Sequence, residues 1–420
     1  MRRVIVYPFG GYPGVDFFLV LSGYLDHADH PQHLIEMHIL QIYKDYFPVL
    51  GGIENHLRDL SEALVARGHQ VTVLVTSLDR HTHHEQPHAR LKVIKAARVL
   101  HLASTPLSVA MMRIARDLRP DIAHLHFPYP PGDLAAMALP GRPPYVVTYH
   151  CDIQRQRALL LAYRPLMERT LQRAARIMPT SPNYLGSSPV LQRHAARCTV
   201  VPLGINAERF MHVEPRKLEE VRARYLPRRP GGPEAARALP LVLFVGRLRY
   251  YKGLHVLLDA MPGVRGELLI GGEGPERERL ERQAAQLGIA DRVRFLGDIP
   301  DDDLPALYHS ADVFVMPAHL RAEALGLSQI EALACGLPCV STELGTGTSF
   351  ANFHGETGLV VPPGDAPALA GALNILLADA ELRRRFGAAG RQRVATLFSS
   401  PGMVDSVETI YRDVLGAHRG

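Results

Sequence analysis

The sequence predicts an α/β protein with two parallel β-sheets, each covered by helices on both faces. From Met37 almost to the C-terminus, apolar runs of strand length alternate with amphipathic segments of helix length. The strand runs are continuously apolar, which indicates sheets that are buried on both faces. The alternation is interrupted once, by a charged stretch rich in Pro and Gly, so we expect two domains of this kind.

The first domain is predicted at residues 37–205, as a Rossmann-like, doubly wound unit. Its first strand, "MHILQIY", begins at Met37, and the next helix places Ile53, Leu57, Leu60 and Leu64 at helical spacing. Further apolar runs of strand length are "VTVLVT", "DIAHLHF" and "YVVTYH".

The rest of the chain is predicted as a connection, a second domain and a final helix. Residues 206–238 are charged and rich in Pro and Gly, which is typical of a connection. A second Rossmann-like domain is expected at residues 239–398, and residues 399–420 are expected to form a C-terminal helix that packs back toward the first domain. We expect the ligand in a cleft between the two domains, at the carboxyl ends of their strands.

Residues 1–36 are predicted to be an extension outside the fold, with Met37 as an alternative initiator. Asp16 interrupts the apolar patch at residues 15–21, whereas a signal peptide has a cleaner apolar core. The alternative is a genuine segment that packs on the surface. No apolar run of the sequence is long enough to cross a bilayer.

Composition narrows the class of partner. The net charge of +5 and the pI near 9.0 favour anionic partners such as nucleotides, phospholipids or nucleic acid. No recognised nucleic-acid-binding module is present, so we expect no nucleic-acid partner. Four scattered cysteines do not suggest a disulfide framework and favour a reducing compartment. The histidine run "HTHHEQPH" (81–88) could bind a metal, but we interpret it as a polar loop.

The first candidate ligand loop follows the first strand of the second domain. In "FVGRLRYYKGL", Gly246 is followed by Arg247 and Lys252. A guanidinium and an ammonium group in such a loop suit an anion with several oxygens, such as a diphosphate. The alternative is a pair of solvated surface charges.

Two glutamates flank a predicted helix start in "EALGLSQIEALACGLPCVST". Glu323 lies in the loop after a strand, and Glu331 lies about one turn into a helix that should begin near Leu327 and end at Cys335, before a glycine and a proline. The free amides at the helix start are a natural phosphate site. The two carboxylates would then bind hydroxyl groups on opposite sides of a diphosphate. The alternative is two ordinary surface glutamates.

Together these motifs resemble the family-4 retaining glycosyltransferases, which have the GT-B fold of two Rossmann-like domains facing a cleft. The segment from Glu323 resembles their E-x7-E signature, and "VGRLRYYKG" resembles their basic diphosphate loop. "YFPVLGGIENHLRDLSEAL" is similar to their amino-terminal glycine loop and first helix, and "TGLVVPPGD" to their closing strand. One departure is Leu325, which replaces the usual aromatic residue before the glycine of the signature.

The resemblance implies a role for each matching position. Arg247 and Lys252 would neutralise the nucleotide diphosphate, Glu331 would bind the ribose, and Glu323 would bind hydroxyls of the donor sugar and take part in catalysis. The remaining implied site positions are Gly51, Gly52, Gly246, Leu325, Gly326 and Leu327 for donor binding, His150 as an active-site histidine, and Asp152 as a donor or acceptor contact.

The resemblance also implies an activity: transfer of a hexosyl unit, with retention, to a glycan or lipid-linked acceptor in cell-surface polysaccharide synthesis. We expect a GDP-mannose-type donor first, with a UDP-sugar as the alternative, and neither a cofactor nor a metal. We expect the enzyme in the cytoplasm, in peripheral contact with anionic membrane through the Arg-rich helix at 155–177; the alternative for that helix is a core-facing element with a solvated basic face. Two other functions stay open, a GT-B sugar-nucleotide epimerase and a non-catalytic sugar-nucleotide binder.

Overall fold

The computed structural model describes residues 36–49, 51–102, 105–153, 157–226 and 239–419. The chain divides into two compact units, one formed by residues up to Gly204 together with Ser400 onward, the other by Ile205–Ser399. Of the predicted extension, only Glu36 lies within the described residues, and its carboxylate accepts hydrogen bonds from Arg90 and Gln70.

The first unit contains a seven-stranded sheet and a small hairpin. In chain order its strands are β1 (His38–Ile42), β2 (Gln70–Thr76), β3 (His83–His88), β4 (Leu91–Ala96), β5 (Leu100–Leu102), β6 (Thr105–Leu107), β7 (Ile122–Phe127), β8 (Tyr145–Tyr149) and β9 (Arg176–Pro179). The sheet has the order β3-β4-β2-β1-β7-β8-β9 and is parallel except for the β3–β4 pair, while β5 and β6 pair separately. The order reverses between β1 and β7, and such a switch point is where open sheets bind ligands.

The second unit contains a six-stranded, fully parallel sheet. Its strands are β10 (Leu241–Val245), β11 (Glu267–Gly271), β12 (Val293–Gly297), β13 (Val313–Met316), β14 (Cys339–Thr342) and β15 (Gly358–Val361). Their order is β12-β11-β10-β13-β14-β15, so the switch point lies between β10 and β13. The predicted doubly wound fold of both units is confirmed.

The helices cover both sheets. In chain order they are α1 (Gly52–Ala66), α2 (Val109–Asp117), α3 (Pro130–Ala138), α4 (Arg157–Arg173), α5 (Pro182–Ser187), α6 (Pro189–Arg193), α7 (Glu208–Met211), α8 (Pro215–Tyr225), α9 (Leu254–Ala260), α10 (Arg277–Gln286), α11 (Leu304–Tyr308), α12 (Leu327–Ala334), α13 (Gly347–Ala351), α14 (Ala366–Ala378), α15 (Ala380–Leu397) and α16 (Ser400–Arg419). None of the four cysteines forms a disulfide bond in this structure. Across the described residues, no helix combines the length and hydropathy that a bilayer span requires.

The structure corrects the prediction for residues 206–238. We expected a connection there, but helices α7 and α8 lie within this range. Helix α8 buries Val221 and Tyr225 and is attached to the second unit through Asp303, which pairs with Lys217 at 2.5 Å and with Arg224 at 2.8 Å. The charged composition suggested a linker because most of this helix is a solvated face. Residues 227–238 lie outside the described residues.

The prediction of a polar loop for the histidine run at residues 81–88 is also wrong, because residues 83–88 form strand β3. It is an edge strand that pairs antiparallel with β4, and each of its side chains is exposed. A strand that is exposed on both faces has no apolar alternation, so the sequence carried no signal for it. His83 is bound to Asp79 at 2.9 Å.

The C-terminal helix α16 belongs to the first unit and is attached to it by a buried carboxylate. Glu408 accepts hydrogen bonds from Arg67 at 2.8 Å and from His69 at 3.0 Å, and Arg412 lies 2.5 Å away on the same helix. Hydrogen bonds from His69 and Arg67, with the charge of Arg412, lower the pKa of Glu408 from 4.5 to about 2. The ionised form is therefore the one that stabilises the fold.

We expect Glu408→Gln to destabilise the first unit by about 3 kcal/mol at neutral pH. The folded pKa lies below the unfolded one, so this contribution is complete above pH 4.5 and is lost as the pH falls toward 2. The difference in the free energy of unfolding between wild type and Glu408→Gln, measured in urea, should therefore become smaller as the pH is lowered. Asp405→Asn is the matched control: that carboxylate pairs with Arg67 but is 46% exposed, so it should cost below about 1 kcal/mol. If that difference does not change with pH, the ionised form of Glu408 is not what stabilises the first unit.

Candidate active site

Backbone contacts join the loop after β10 to the end of β11 and to the loop that follows it. Gly246 has a φ of 152°, which favours glycine, and its amide donates to the Gly271 carbonyl at 3.0 Å. A Cβ added at Gly272 would lie 2.2 Å from the Gly246 carbonyl oxygen, so the close approach requires glycine there as well. The backbone of Gly246 is thus fixed at the switch point of the second sheet.

The same loop holds Lys252 beside the end of β13. Lys252 ends a single helical turn, and the next residue, Gly253, has a φ of 72°. A Cβ at Gly253 would lie 1.9 Å from the Pro317 carbonyl oxygen, so only glycine fits. This contact sets the ammonium group of Lys252 against the loop that follows β13.

Lys252 and Glu323 form a buried ion pair. Lys252 Nζ lies 2.5 Å from Glu323 Oε2, and the two side chains are only 11% and 9% exposed. Burial alone would lower the pKa of Lys252, but the Glu323 carboxylate outweighs burial and raises it. Lys252, which we expect to bind the diphosphate, and Glu323, which we expect to bind the sugar, therefore neutralise each other's charge in this structure.

Helix α12 begins where the sequence predicted. Gly326 precedes it with a φ of 78°, the helix starts at Leu327, and Gly336, with a φ of 76°, follows its C-cap. The first hydrogen bond of its opening turn is donated by the Gln329 amide to the Gly326 carbonyl, so the amides of Leu327 and Ser328 precede that bond. Such amides, together with the helix dipole, favour an anion.

The Gln329 side chain supports the turn before α12. It is fully buried and donates to the Leu325 carbonyl at 2.6 Å and to the Thr348 carbonyl at 3.1 Å. Leu325, which stands where the family has an aromatic residue, is itself buried and packs in the interior.

Glu331 is oriented by a buried tyrosine. The Tyr308 hydroxyl donates to Glu331 Oε2 at 2.8 Å, and Tyr308 is fully buried in α11. Burial raises the pKa of Glu331, while the bond from Tyr308 opposes that rise. Tyr308 contacts one carboxylate oxygen, Oε2, and the ribose contact of Glu331 stays a prediction.

The structure therefore brings part of the predicted donor set together. Lys252 Nζ lies 3.7 Å from the position that a Cβ at Gly246 would take, and it contacts Glu323 directly. Arg247 lies exposed in the same loop, and its role as a phosphate ligand stays a prediction.

In the first unit, Gly51 is the N-cap of α1 and Gly52 is its first residue, and their contact with the donor stays a prediction. Gly51 has extended backbone angles that any residue can adopt. A Cβ at this position would instead lie 2.2 Å from a carboxylate oxygen of Glu54, which is buried and lies 3.9 Å from Lys44. A side chain at position 51 would therefore displace the Glu54 carboxylate from its present place.

Asp152 is engaged by its own unit. Its Oδ1 accepts from the Tyr149 hydroxyl at 2.8 Å and from Ser188 Oγ at 2.7 Å, and its amide donates to the Tyr184 hydroxyl at 2.6 Å. These bonds hold the segment that follows His150. Any donor or acceptor contact of Asp152 stays a prediction.

His150 lies in a group of buried histidines that the sequence analysis did not single out. His126 Nδ1 lies 3.0 Å from His150 Nε2 with stacked rings, and His124 stacks on His126 with centroids 4.5 Å apart. Burial lowers the pKa of His56 to about 4 and that of His124 to about 3, and it lowers the pKa of His126 and His150 well below the ordinary value. All four rings are therefore neutral near pH 7.

One sequence signal could have revealed this group. "DIAHLHF" places His124 and His126 two residues apart in an otherwise apolar strand, so both point to one face of a buried sheet. Polar rings in that position require partners, which a buried network supplies. Within the part of the chain that the structure describes, no three His, Cys, Asp or Glu side chains are arranged to hold a metal ion.

Two doubly wound parallel units, with a glycine-rich basic loop and two glutamates around a helix N-terminus at one switch point, define the GT-B class of glycosyltransferases. The chain belongs to glycosyltransferase family 4. The family model "Glycosyltransferase Family 4" matches residues 50–209, and "Glycosyl transferases group 1" matches residues 234–393.

Similar proteins support this assignment. The chain is 39% identical to the D-rhamnosyltransferase WbpZ of Pseudomonas aeruginosa, over 87% of this chain and 93% of that protein. It is 34% identical to the O-antigen chain mannosyltransferase C of Escherichia coli, over 90% of this chain and 99% of that protein. Among solved structures, a sucrose-phosphate synthase from Thermosynechococcus elongatus matches with a TM-score of 0.74 and 26% identity, covering 91% of this chain and 100% of that one.

Proposed function

We propose that the protein is a retaining glycosyltransferase that moves a mannose-type unit from a GDP-linked sugar to a glycan or lipid-linked acceptor in cell-surface polysaccharide synthesis. The observation that carries the proposal is the Lys252–Glu323 pair beside the N-terminus of α12. Two relatives that transfer rhamnose or mannose support the type of sugar.

The residues of the second unit have separate tasks in this proposal. Lys252, Arg247 and the first amides of α12 stabilise the diphosphate, Glu331 binds the ribose, and Glu323 binds sugar hydroxyls. Because positive charge is in place before the bond breaks, it stabilises the leaving group at little reorganisation cost. We propose that these groups, rather than a metal ion, provide the cationic stabilisation.

The reaction proposed is a same-face substitution at the anomeric carbon. The bond from that carbon to the diphosphate oxygen breaks, and a bond to the acceptor hydroxyl oxygen forms on the same side. The hydroxyl proton passes to an oxygen of the departing diphosphate. Glu323 assists by stabilising positive charge that develops on the sugar ring.

A cavity in the first unit supports binding of the acceptor there. It has a volume of about 230 Å³ and lies outside the carboxyl ends of β1 and β2, lined by Asp45, Tyr46, Phe47, Ser77 and Asp79 among others. The exposed Phe47 ring beside paired polar groups suits a sugar, which presents both an apolar face and hydroxyls.

We also propose that the enzyme works in the cytoplasm, in peripheral contact with anionic membrane through α4. Leu171 of that helix is fully buried and Leu166 half-buried, which agrees with the core-facing interpretation. Leu161 is 70% exposed, however, and Arg164 and Arg169 are exposed as well. Sedimentation with vesicles of phosphatidylglycerol, compared with phosphatidylcholine, tests this; Leu161→Ser with Arg164→Ser should weaken the anionic binding.

The transfer itself is tested by donor selection followed by product analysis. Among UDP-, GDP- and ADP-sugars, we expect GDP-mannose or its 6-deoxy analogue to raise the melting temperature most. With an α-mannoside acceptor, NMR of the product should show the anomeric configuration of the donor, and activity should persist in EDTA. An inverted product, or activity that EDTA abolishes and Mg²⁺ restores, would overturn the retaining, metal-independent mechanism.

A further inference from the structure

A continuous chain of hydrogen bonds ends on His150 in the first unit. His150 Nε2 lies 3.0 Å from His126 Nδ1, and His126 Nε2 lies 2.9 Å from Gln41 Oε1. Gln41 Nε2 donates to the Tyr411 hydroxyl at 3.4 Å, and that hydroxyl lies 2.6 Å from His124 Nδ1. We call these five residues, His150, His126, Gln41, Tyr411 and His124, the histidine relay.

The Gln41 side chain gives the relay a direction. In this structure the Gln41 amide presents Oε1 to His126 and Nε2 to Tyr411, and because Oε1 can only accept, this amide orientation requires His126 to carry its proton on Nε2. Because His126 is neutral, its Nδ1 then carries a lone pair, and the facing Nε2 of His150 must donate. The proton positions follow from the bonding network rather than from direct observation.

At the other end of the relay, Tyr411 and His124 can follow the same order of donors and acceptors. Tyr411 accepts from the Gln41 amide, so its own proton is available for His124 Nδ1. His124 then carries its proton on Nε2, which lies 2.7 Å from Thr148 Oγ1. Each donor in the relay meets one acceptor, and every member is buried.

We propose that Gln41 and His126 are positioning residues that hold His150 as the Nε2–H tautomer, so that Nδ1 accepts a hydrogen bond from a hydroxyl of the bound sugar. This inference rests on the proposed function for the identity of the ligand, but not for the tautomer. A neutral ring with a free Nδ1 lone pair requires a hydrogen-bond donor. A sugar hydroxyl provides one, and a ring ether or deoxy position does not.

The fold explains why these residues meet. Gln41 lies on β1 and His126 on β7, the two strands at the switch point of the first sheet. His150 directly follows β8, the next strand over. Tyr411, fully buried on α16, fixes the Gln41 amide from the opposite side. The sheet therefore holds His150 at its carboxyl edge without using a flexible loop.

The tautomer is measured directly by NMR of the full chain with ¹⁵N-labelled histidine. The His150 signals are assigned by their absence in His150→Asn. We expect a protonated-type shift at Nε2 and an unprotonated-type shift at Nδ1, at neutral pH and without any ligand. A protonated Nδ1, or a doubly protonated ring, overturns the proposal.

Gln41→Glu is expected to reverse the relay. A carboxylate at position 41 favours a protonated His126, which donates from Nδ1 as well and forces His150 Nε2 to accept. The His150 proton then moves to Nδ1, and the acceptor for the sugar hydroxyl is lost. Among the described residues, the titratable groups whose rings contact His126 are Tyr43, His56, His124 and His150. None of them is an anion that would hold this charge in the wild type.

The turnover of Gln41→Glu should depend on pH, because the protonation state of His126 changes with pH in this variant. Turnover of Gln41→Glu should fall roughly tenfold or more at low pH, where His126 is protonated, and recover as the pH rises, while the wild-type profile stays flatter. Ser61→Ala is the control: it removes a buried hydroxyl of the same unit that donates to the Leu57 carbonyl at 2.7 Å and is not a member of the relay, so it should leave the tautomer and the pH profile unchanged. A His150 tautomer that Gln41→Glu leaves unaltered at every pH overturns the proposal.

The two proposals fail in different ways. If no sugar nucleotide binds or reacts while His150 shows the Nε2–H tautomer, the proposed function fails and the positioning by Gln41 and His126 stands. If transfer occurs but His150 carries its proton on Nδ1, the proposed function stands and this inference fails. Should Gln41→Glu not fold, the wild-type spectrum decides alone.

Discussion

Lys252→Met is expected to lower the transfer rate by roughly 10²–10³-fold and to destabilise the second unit by about 3–5 kcal/mol. The rate falls because the variant loses a fixed positive charge beside the departing diphosphate. The fold is destabilised because Glu323 is left as a buried carboxylate without its partner at 2.5 Å. Thermal unfolding and initial rates with a saturating donor measure the two effects separately.

The double variant Lys252→Met/Glu323→Gln is the control for that result. With both charges removed, most of the lost stability should return, because no unpaired charge stays buried. Activity should stay low, since neither the phosphate ligand nor the carboxylate is restored. If the double variant is no more stable than Lys252→Met, the buried pair is not the source of the effect.

Glu331→Ala is expected to weaken binding of the bare nucleoside diphosphate and of the sugar nucleotide by the same factor. A charge-assisted hydrogen bond to a ribose hydroxyl contributes about 1.5–3 kcal/mol, so we expect roughly a 10- to 150-fold rise in Kd for both ligands. Equal losses are the signature of a contact to the part that the ligands share. Calorimetric titration of both ligands measures this.

Tyr308→Phe is the matched control for Glu331→Ala. It keeps the carboxylate but removes the hydroxyl that fixes Oε2 at 2.8 Å. The loss in affinity should go in the same direction and be smaller, because Glu331 can still accept from the ribose without being oriented. A bare nucleotide that binds Glu331→Ala as well as wild type would remove Glu331 from the nucleotide site.

Local patterns predicted much of the second unit. The bounds of α12 followed from Gly326 and Gly336, because glycine at each end of an apolar run marks where a helix starts and stops. The buried β-strands followed from continuous apolar runs. Both signals lie within a few residues of the structure that they predict.

The histidine relay could not be predicted in the same way. Gln41 and Tyr411 are separated by 370 positions, and nothing local to either residue indicates the other. The Lys252–Glu323 pair was missed for a similar reason, because both side chains were assigned to ligands and the resting contact between them depends on how two loops pack. Helix α8 was missed because its charged face outweighs the two residues that it buries.

The two glutamates differ in what their loss should do to Lys252. Glu331 contacts Tyr308, whereas Glu323 holds the ammonium group of Lys252. Removing the Glu323 charge therefore frees a buried cation that the diphosphate can then neutralise. If Glu323 binds the donor sugar as proposed, the Lys252–Glu323 contact should therefore favour binding of the complete donor over binding of the bare nucleotide.

The most direct test of the central claim is the affinity of Glu323→Gln for GDP and for GDP-mannose, or for the equivalent pair if the donor screen selects another base. Isothermal titration calorimetry gives both values on one protein sample. We expect GDP to bind as tightly as to wild type or more tightly, because Lys252 is released, while GDP-mannose binds more weakly. Equal losses for the two ligands would contradict the account, since Glu323 would then contact the nucleotide, and the two glutamates would not bind opposite ends of a sugar nucleotide.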